Sequence, residues 1–409
     1  MGSERVRAPR QRVAILGSTG SIGEQTIEVL RRHPDLFEAT TLTAHRNWRR
    51  LAAQARLVEP DSVVIADSAF YEPLRDALSD LPIKVWAGEG DVAAVAAASG
   101  VDVVVNALVG WAGLVPTISA IEAGKKLALA NKESLVVAGE TVMRLAREKG
   151  VPIVPIDSEH SAILQCLVGE FGPQRDGFSG ESPVRRLILT ASGGALRDVP
   201  PAELVKVTAA QALKHPNWSM GAKITIDSAT MVNKGFEVVE ARWLFDVPAE
   251  KIDVLIHPQS IVHSMVEFCD GAVKAQLGTP DMRVPISYAL SFPHRLPAPE
   301  SAGSATSPGS AAEFSLTDLT FREVDHARYP ALGLTRDCLA AGGTALCTMN
   351  AANEAAVAAF LDGRIGYLDI VRVIHETLDR AENVAKPTLE DYIACNEAAK
   401  TTALQIINR

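Results

Sequence analysis

Short apolar runs alternate with amphipathic stretches through the first 160 residues. Residues 12–16, 39–43, 62–65, 101–105, 126–130 and 151–156 are short, aliphatic and rich in β-branched side chains. That is the pattern of strands buried on both faces. Helical stretches separate them, the first an amphipathic one at residues 22–32. Such alternation predicts a parallel, doubly wound sheet. A charge-free stretch at 103–121 approaches the length of a membrane span, but Asn106, Gly110, Gly113 and Pro116 divide it into strand, loop and helix.

Beyond residue 160 the pattern changes. A breaker-rich segment, 171–183, precedes a strand at 184–190. Helices are predicted near 201–208 and from Ala229 onward, and strands at 254–256, 261–267 and 273–277 imply an antiparallel or mixed sheet. Residues 301–312 form a low-complexity linker. Four helical patterns, 329–341, 351–361, 367–379 and 389–407, close the chain. The expected fold class is α/β: an N-terminal doubly wound Rossmann-type domain, a central α+β domain and a small C-terminal helical domain.

Length and composition narrow this further. A chain of 409 residues exceeds one ordinary core. A hydrophobic fraction of 47% and a charged fraction of 22% are those of a soluble globular protein. A net charge of −9 argues against a nucleic-acid partner. Five scattered cysteines without a CxxC pair fit a reducing cytosol. Residues 1–12 lack the apolar core and cleavage site of a signal peptide, so a cytoplasmic protein without a membrane partner is expected.

The candidate chemistry begins at the first strand. Gly17-Ser18-Thr19-Gly20-Ser21-Ile22-Gly23 lies between strand and helix, the context of a dinucleotide fingerprint, here spaced GxxGxxG. Glycines there let the backbone approach a pyrophosphate, whose charge then lies on a helix N-terminus. The second strand ends in Ala44-His45-Arg46-Asn47. A cation there, without the acid that would hold a ribose 2′-hydroxyl, points to the 2′-phosphate of NADP, with Arg46 as its contact. Asn131, Lys132 and Glu133 lie at the carboxyl end of another predicted strand, where ligands bind in such sheets.

The segment 151–156 ends in Asp157-Ser158-Glu159-His160. In an extended chain Asp157 and Glu159 point the same way. Paired carboxylates of this kind suit Mg²⁺ or Mn²⁺; the competing reading is a helix start capped by Asp157 or Ser158. Farther on, Ser192-Gly193-Gly194 after a strand is a candidate phosphate cradle. Lys214-His215-Pro216-Asn217-Trp218-Ser219-Met220-Gly221 puts apolar mass in a loop, as a lid does, or a core plug. Asn233 and Glu237 share a helix face beside Lys234. Glu237 would be a third carboxylate for Asp157 and Glu159; a surface Lys–Glu pair is the alternative.

Taken together, these motifs resemble the 1-deoxy-D-xylulose 5-phosphate reductoisomerase family. The stretches that carry the resemblance are Gly17 to Gly23, Leu129-Ala-Asn-Lys-Glu-Ser-Leu135, Asp157-Ser-Glu-His160, His215-Pro-Asn-Trp-Ser-Met-Gly221, Asp227-Ser-Ala-Thr-Met231, Asn233-Lys-Gly235, Glu240-Ala-Arg-Trp-Leu-Phe245, His257-Pro-Gln-Ser260 and Asn350-Ala-Ala-Asn-Glu354. They occur in family order across the whole chain. The resemblance implies an NADPH-binding domain at 1–156, a catalytic and dimerisation domain with a flexible lid at 157–292, a linker at 293–319 and a helical domain at 320–409. It implies a homodimer acting on a phosphosugar. Asp157, Glu159 and Glu237 would hold Mg²⁺ or Mn²⁺. Ser158, Lys132, Ser192, His215, Ser228, Asn233 and Lys234 would hold the substrate. Gly17, Thr19, Gly20, Ser21, Ile22, Arg46, Asn47, Asn131, Glu133 and Gly221 would hold NADPH. His160 and His263 would support the catalytic centre, with Lys132, Glu159 and His215 among its working groups. His45 stands where the family often has glycine, and the 171–183 and 301–312 segments are atypical. The competing enzyme reading is semialdehyde-dehydrogenase-like, which needs a cysteine nucleophile with an activating histidine; Cys166 and Cys269 lack that setting. A non-catalytic NADPH sensor has no use for three acids beside a phosphate site.

Overall fold

The computed structural model describes residues 9–170, 183–218, 220–297 and 318–409. The 301–312 linker and nearly all of the 171–183 segment lie outside the described residues. The chain forms two compact units: residues 1–131, 144–157 and 282–297, and residues 132–143, 158–281 and 298–409.

The first unit carries seven parallel strands: β1 (Gln11–Leu16), β2 (Phe37–Ala44), β3 (Ser62–Ile65), β4 (Lys84–Ala87), β5 (Val103–Asn106), β6 (Lys126–Leu129) and β7 (Ile153–Pro155). Their order is β4-β3-β2-β1-β5-β6-β7. The winding reverses between β1 and β5, the crevice in which such sheets bind ligands. β5, and β1 from Val13 onward, are wholly buried, which explains their unbroken aliphatic runs. β4 is the one strand the hydrophobic pattern did not indicate. It is a half-exposed edge whose Lys84 and Trp86 face outward, so it carries little apolar signal. The helix Arg283–Ser291, expected within the 157–292 catalytic segment, belongs to this unit instead. Its Ile286, Ala289 and Leu290 are buried, it packs on the helix Ser21–Arg32 and on β6 and β7, and Lys126 donates to the Leu290 carbonyl at 2.9 Å.

The second unit is built on a mixed sheet of β8 (Val184–Ala191), β9 (Ile252–Ile256), β10 (Val262–Phe268), β11 (Val273–Leu277) and β12 (Arg322–Glu323), in the order β11-β10-β8-β9-β12. β8 and β9 run parallel and the other pairs antiparallel. The long helix Val232–Phe245 has two apolar faces. Val238, Ala241 and Phe245 join the core over the sheet. Val232, Phe236 and Val239 join a second core with the helices Pro330–Ala341, Ala345–Leu361 and Asp369–Leu378. The C-terminal helices therefore belong to the same compact unit as the sheet, where a separate domain at 320–409 was expected. The helix expected from Ala229 onward is two helices, Ala222–Thr230 and Val232–Phe245, broken at Met231, which adopts φ +63°.

Candidate functional site

A helix buried on both sides has nowhere to send its polar side chains. In the helix Val232–Phe245, Lys234, Glu237 and Glu240 are at most 4% exposed. Each must find partners inside the protein, because an unpaired buried charge costs several kcal/mol. The partners they find form the candidate site. Lys132, immediately before the helix Glu133–Lys149, donates to Asn233 Oδ1 at 2.7 Å and reaches Glu237 Oε1 at 3.2 Å. Asn233 Nδ2 donates to the same Glu237 oxygen at 2.5 Å. Lys234 Nζ bonds the other Glu237 oxygen, Glu159 Oε1 at 2.8 Å and the Thr190 carbonyl at 2.5 Å. Burial opposes the charge on Lys234, but Glu159 and Glu237 outweigh it and hold its pKa above the ordinary lysine value.

Asp157 and Glu159 do come together, though not through strand alternation. β7 ends at Pro155 and the helix Ser158–Leu167 begins at once. Glu159 thus lies in a first helical turn and Asp157 directly before it. One ligand atom from each of Asp157, Glu159 and Glu237 lies within 4.8 Å of the other two. Three converging carboxylates, two of them accompanied by lysines, are a hard-oxygen donor set that fits Mg²⁺ or Mn²⁺. Ser158 Oγ donates to Glu159 Oε2 at 2.6 Å.

His160 is placed differently from a group that touches substrate. It is fully buried, its Nε2 lies 2.9 Å from the Glu237 carbonyl oxygen and its Nδ1 lies 3.2 Å from Glu240 Oε2. It ties the helix bearing Glu159 to the helix bearing Glu237, so it is a positioning residue.

β8 ends in Ser192-Gly193-Gly194, and a Cβ on Gly194 would lie 2.8 Å from the Ser228 carbonyl oxygen and 2.6 Å from the Ala229 Cα. The turn therefore packs directly on the end of the helix Ala222–Thr230 and brings Ser192 and Ser228 to one place. His215 Nδ1 accepts the Asn217 and Trp218 backbone N–H groups at 3.2 and 3.0 Å. Its Nε2 then carries the proton and donates to Ser192 Oγ at 2.9 Å. Burial, with the nearby Arg197, lowers the His215 pKa to about 4. Asn217 Nδ2 docks this loop on the Pro258 carbonyl and on Ser260 Oγ. Trp218 tilts against His263, with ring centroids 6.0 Å apart. His263 is buried, and burial lowers its pKa.

Within the first unit, the glycine loop is tightly specified. Gly17 has φ +81°, and a Cβ there would stand 2.7 Å from the Ala107 carbonyl oxygen at the end of β5. A Cβ on Gly23 would collide with Gly17 and Ser18 backbone atoms. The loop is riveted from behind: Gly17 N–H donates to Thr43 Oγ1 at 3.0 Å, and Ser18 Oγ donates to Gln54 Oε1 at 2.7 Å. Gly20 caps the helix Ser21–Arg32, whose first N–H groups have no intrahelical acceptor, the setting that suits a pyrophosphate. Thr19, Gly20, Ser21 and Ile22 are at least partly exposed there. Asn47 caps the helix Trp48–Val58 through Arg50 N–H, and Arg46 is exposed beside it. The Asn131 amide donates to the Leu108 and Gly110 carbonyls, both at 2.9 Å, and so fixes the loop after β5.

Glu133, expected at the cofactor, is bonded by Lys223 Nζ at 2.6 Å, and the same ammonium reaches Asp227 at 2.9 Å. The Lys223 charge overcomes the effect of burial and keeps the Glu133 pKa low. Gly221 caps the helix that carries Lys223. Thr190, Lys223, Gln54 and Asp67 are participants the motifs did not mark. Their signal lies in three-dimensional pairing, which one sequence does not display.

Three family models match: 1-deoxy-D-xylulose 5-phosphate reductoisomerase over residues 13–139, its C-terminal domain over 153–245, and the DXP reductoisomerase C-terminal domain over 277–402. The chain is 51% identical to 1-deoxy-D-xylulose 5-phosphate reductoisomerase of Bacteroides thetaiotaomicron, with 100% of both chains covered. It is 49% identical to that of Thermosynechococcus vestitus, over 97% of this chain and 92% of the relative. Among solved structures, the Zymomonas mobilis enzyme in complex with NADPH superposes with a TM-score of 0.86 at 42% identity, covering 98% and 99% of the two chains. A DOX-P reductoisomerase in complex with NADPH, fosmidomycin and magnesium gives 0.90 at 38%, covering 97% and 98%. With Glu159, Glu237, Lys132 and Lys234 converging in one unit, a glycine cradle in the other and kinship along the full length, this chain belongs to the 1-deoxy-D-xylulose 5-phosphate reductoisomerase family.

Proposed function

We propose that this chain converts 1-deoxy-D-xylulose 5-phosphate to 2-C-methyl-D-erythritol 4-phosphate, in non-mevalonate isoprenoid precursor synthesis. The ketose phosphate first rearranges to a branched aldehyde, 2-C-methyl-D-erythrose 4-phosphate, which is then reduced with NADPH. The observation that carries the reading is the convergence of Lys132, Glu159, Asn233, Lys234 and Glu237 on one buried polar point.

In this reading Asp157, Glu159 and Glu237 hold a divalent cation, which supplies a Lewis acid for adjacent substrate oxygens when bound. Lys132 and Ser158 contact the carbon backbone of the substrate. Ser192, Ser228, Asn233, Lys234 and the His215 Nε2–H hold its hydroxyls and phosphate. Remote anchoring of the phosphate positions the reacting carbons and converts binding energy into rate. The loop bearing Trp218 excludes water during reduction. The glycine loop takes the NADPH pyrophosphate, and Arg46 takes the 2′-phosphate. Placement as a homodimer in the cytoplasm is part of the same proposal. Five free thiols support the compartment, and among the described residues no helix is long and apolar enough to cross a membrane.

The test is NADPH oxidation followed by absorbance. Turnover should require 1-deoxy-D-xylulose 5-phosphate and Mg²⁺ or Mn²⁺ together, and should vanish on chelation. Undiminished turnover after chelation, or none with that substrate, overturns the reading.

A further inference from the structure

The nucleotide-binding unit contains an ion pair that the family motifs do not include. β2 and β3 run side by side in register, Ala44 opposite Ile65. Arg46 leaves the end of β2 and Asp67 the end of β3. Arg46 Nε donates to Asp67 Oδ2 at 2.8 Å. The same β2 end anchors the glycine loop, through Thr43 and the Gly17 and Ser18 N–H groups. Loop, Arg46 and Asp67 thus lie along one edge of the sheet, at the carboxyl ends of β1, β2 and β3.

The two members of the pair differ in freedom. Arg46 has a side chain 67% exposed. Asp67 is held on three sides: its N–H donates to the His45 carbonyl at 3.0 Å, its Oδ1 accepts Ala69 N–H at 3.1 Å, and its Oδ2 takes Arg46. A fixed carboxylate therefore grips one edge of an exposed guanidinium. Asp67 engages Nε, and the two Nη groups remain for another planar or tetrahedral anion. Pinning a long side chain in advance lowers the entropy lost when it binds, which for an arginine is among the larger side-chain terms.

We propose that Asp67 is a specificity-determining positioning residue. By clamping Arg46 at Nε it presents the Nη edge to the 2′-phosphate of NADPH and so sets the preference for NADPH over NADH. This rests on the reading of Arg46 as the 2′-phosphate contact. Asp67 acts through Arg46 and touches no reacting atom.

The experiment is a double-mutant cycle on the full chain, with wild type, R46A, D67A and R46A/D67A. Equilibrium dissociation constants for NADPH and NADH are measured separately by nicotinamide fluorescence. D67A should weaken NADPH about two- to tenfold and leave NADH unchanged. In the R46A background D67A should have no further effect. Unchanged NADH affinity in D67A shows that the fold is intact. An unchanged or tightened NADPH affinity in D67A overturns the proposal, as does an equal loss for both cofactors or an additive cycle. If R46A itself weakens NADPH and NADH alike, the 2′-phosphate reading falls and the proposal with it. If R46A is selective and D67A silent, the role of Asp67 alone falls.

Discussion

Glu237→Gln removes one negative charge from the centre of the site and preserves the shape of the side chain. In the native protein this carboxylate is 1% exposed and accepts from Lys132, Asn233 and Lys234. The amide presents a donor where at least one donor already points. Breaking a buried ion pair by removing one partner costs about 3–5 kcal/mol. Lys234 keeps Glu159 and the Thr190 carbonyl, and Lys132 keeps Asn233, so the lower end, about 3 kcal/mol, is expected. At roughly 2–4 °C per kcal/mol for a unit of this size, the midpoint of thermal unfolding should fall by roughly 6–12 °C. The functional effect is larger. Outer-shell partners of a metal are worth about 10–100-fold in metal affinity, and a direct ligand should cost no less. Mn²⁺ binding, followed by paramagnetic resonance, should weaken by at least about tenfold, and turnover should be abolished. NADPH affinity should stay within about twofold, because the glycine cradle lies in the other unit and shares no side chain with Glu237. A variant that keeps its Mn²⁺ affinity and loses NADPH binding would refute the assignment of Glu237 and the reasoning behind it.

Two further predictions concern other parts of the molecule. Gly23→Ala puts a methyl group into the Gly17 and Ser18 backbone. NADPH affinity should fall about tenfold or more, with roughly 1–3 kcal/mol of stability lost to overpacking; fluorescence titration at wild-type affinity would contradict the cradle. His215 is held neutral in the fold, with a pKa lowered to about 4 from 6.5. Its contribution to stability is therefore present above about pH 6.5 and is lost as the pH falls towards 4. Protonation also spoils the acceptor role of Nδ1 towards Asn217 and Trp218, so the loop should loosen across the same window. Hydrogen exchange of the Trp218 amide, compared at pH 7 and pH 5, should show faster opening at the lower pH after correction for the intrinsic rate. Equal protection at both values would show that His215 does not hold the loop.

The sequence by itself determined the doubly wound sheet and marked the polar motifs from which the site is proposed. Fully buried parallel strands need unbroken aliphatic runs, and phosphate loops need glycine at set positions. Both requirements are local, so β1, β2, β3, β5, β6 and β7 and the Gly17–Gly23 loop are legible in one chain. The Asp157-Ser158-Glu159 and Asn233–Glu237 motifs stand out for the same reason, as dense polar groups beside apolar runs. The half-exposed edge β4 was not legible, because its burial depends on one neighbour only. Tertiary structure alone decided what each charge does. Glu133 and Lys223 are 90 positions apart, and Lys234 and Glu159 are 75 apart; no local spacing predicts such pairs. Burial of the helix Val232–Phe245 on two faces turned an ordinary Lys–Glu spacing into a charge cluster that needs Lys132 and Glu159 for compensation. The same burial places His160 between the helices that bear Glu159 and Glu237. Which polar residues meet is set by how the apolar faces close over them, and that is a property of the fold.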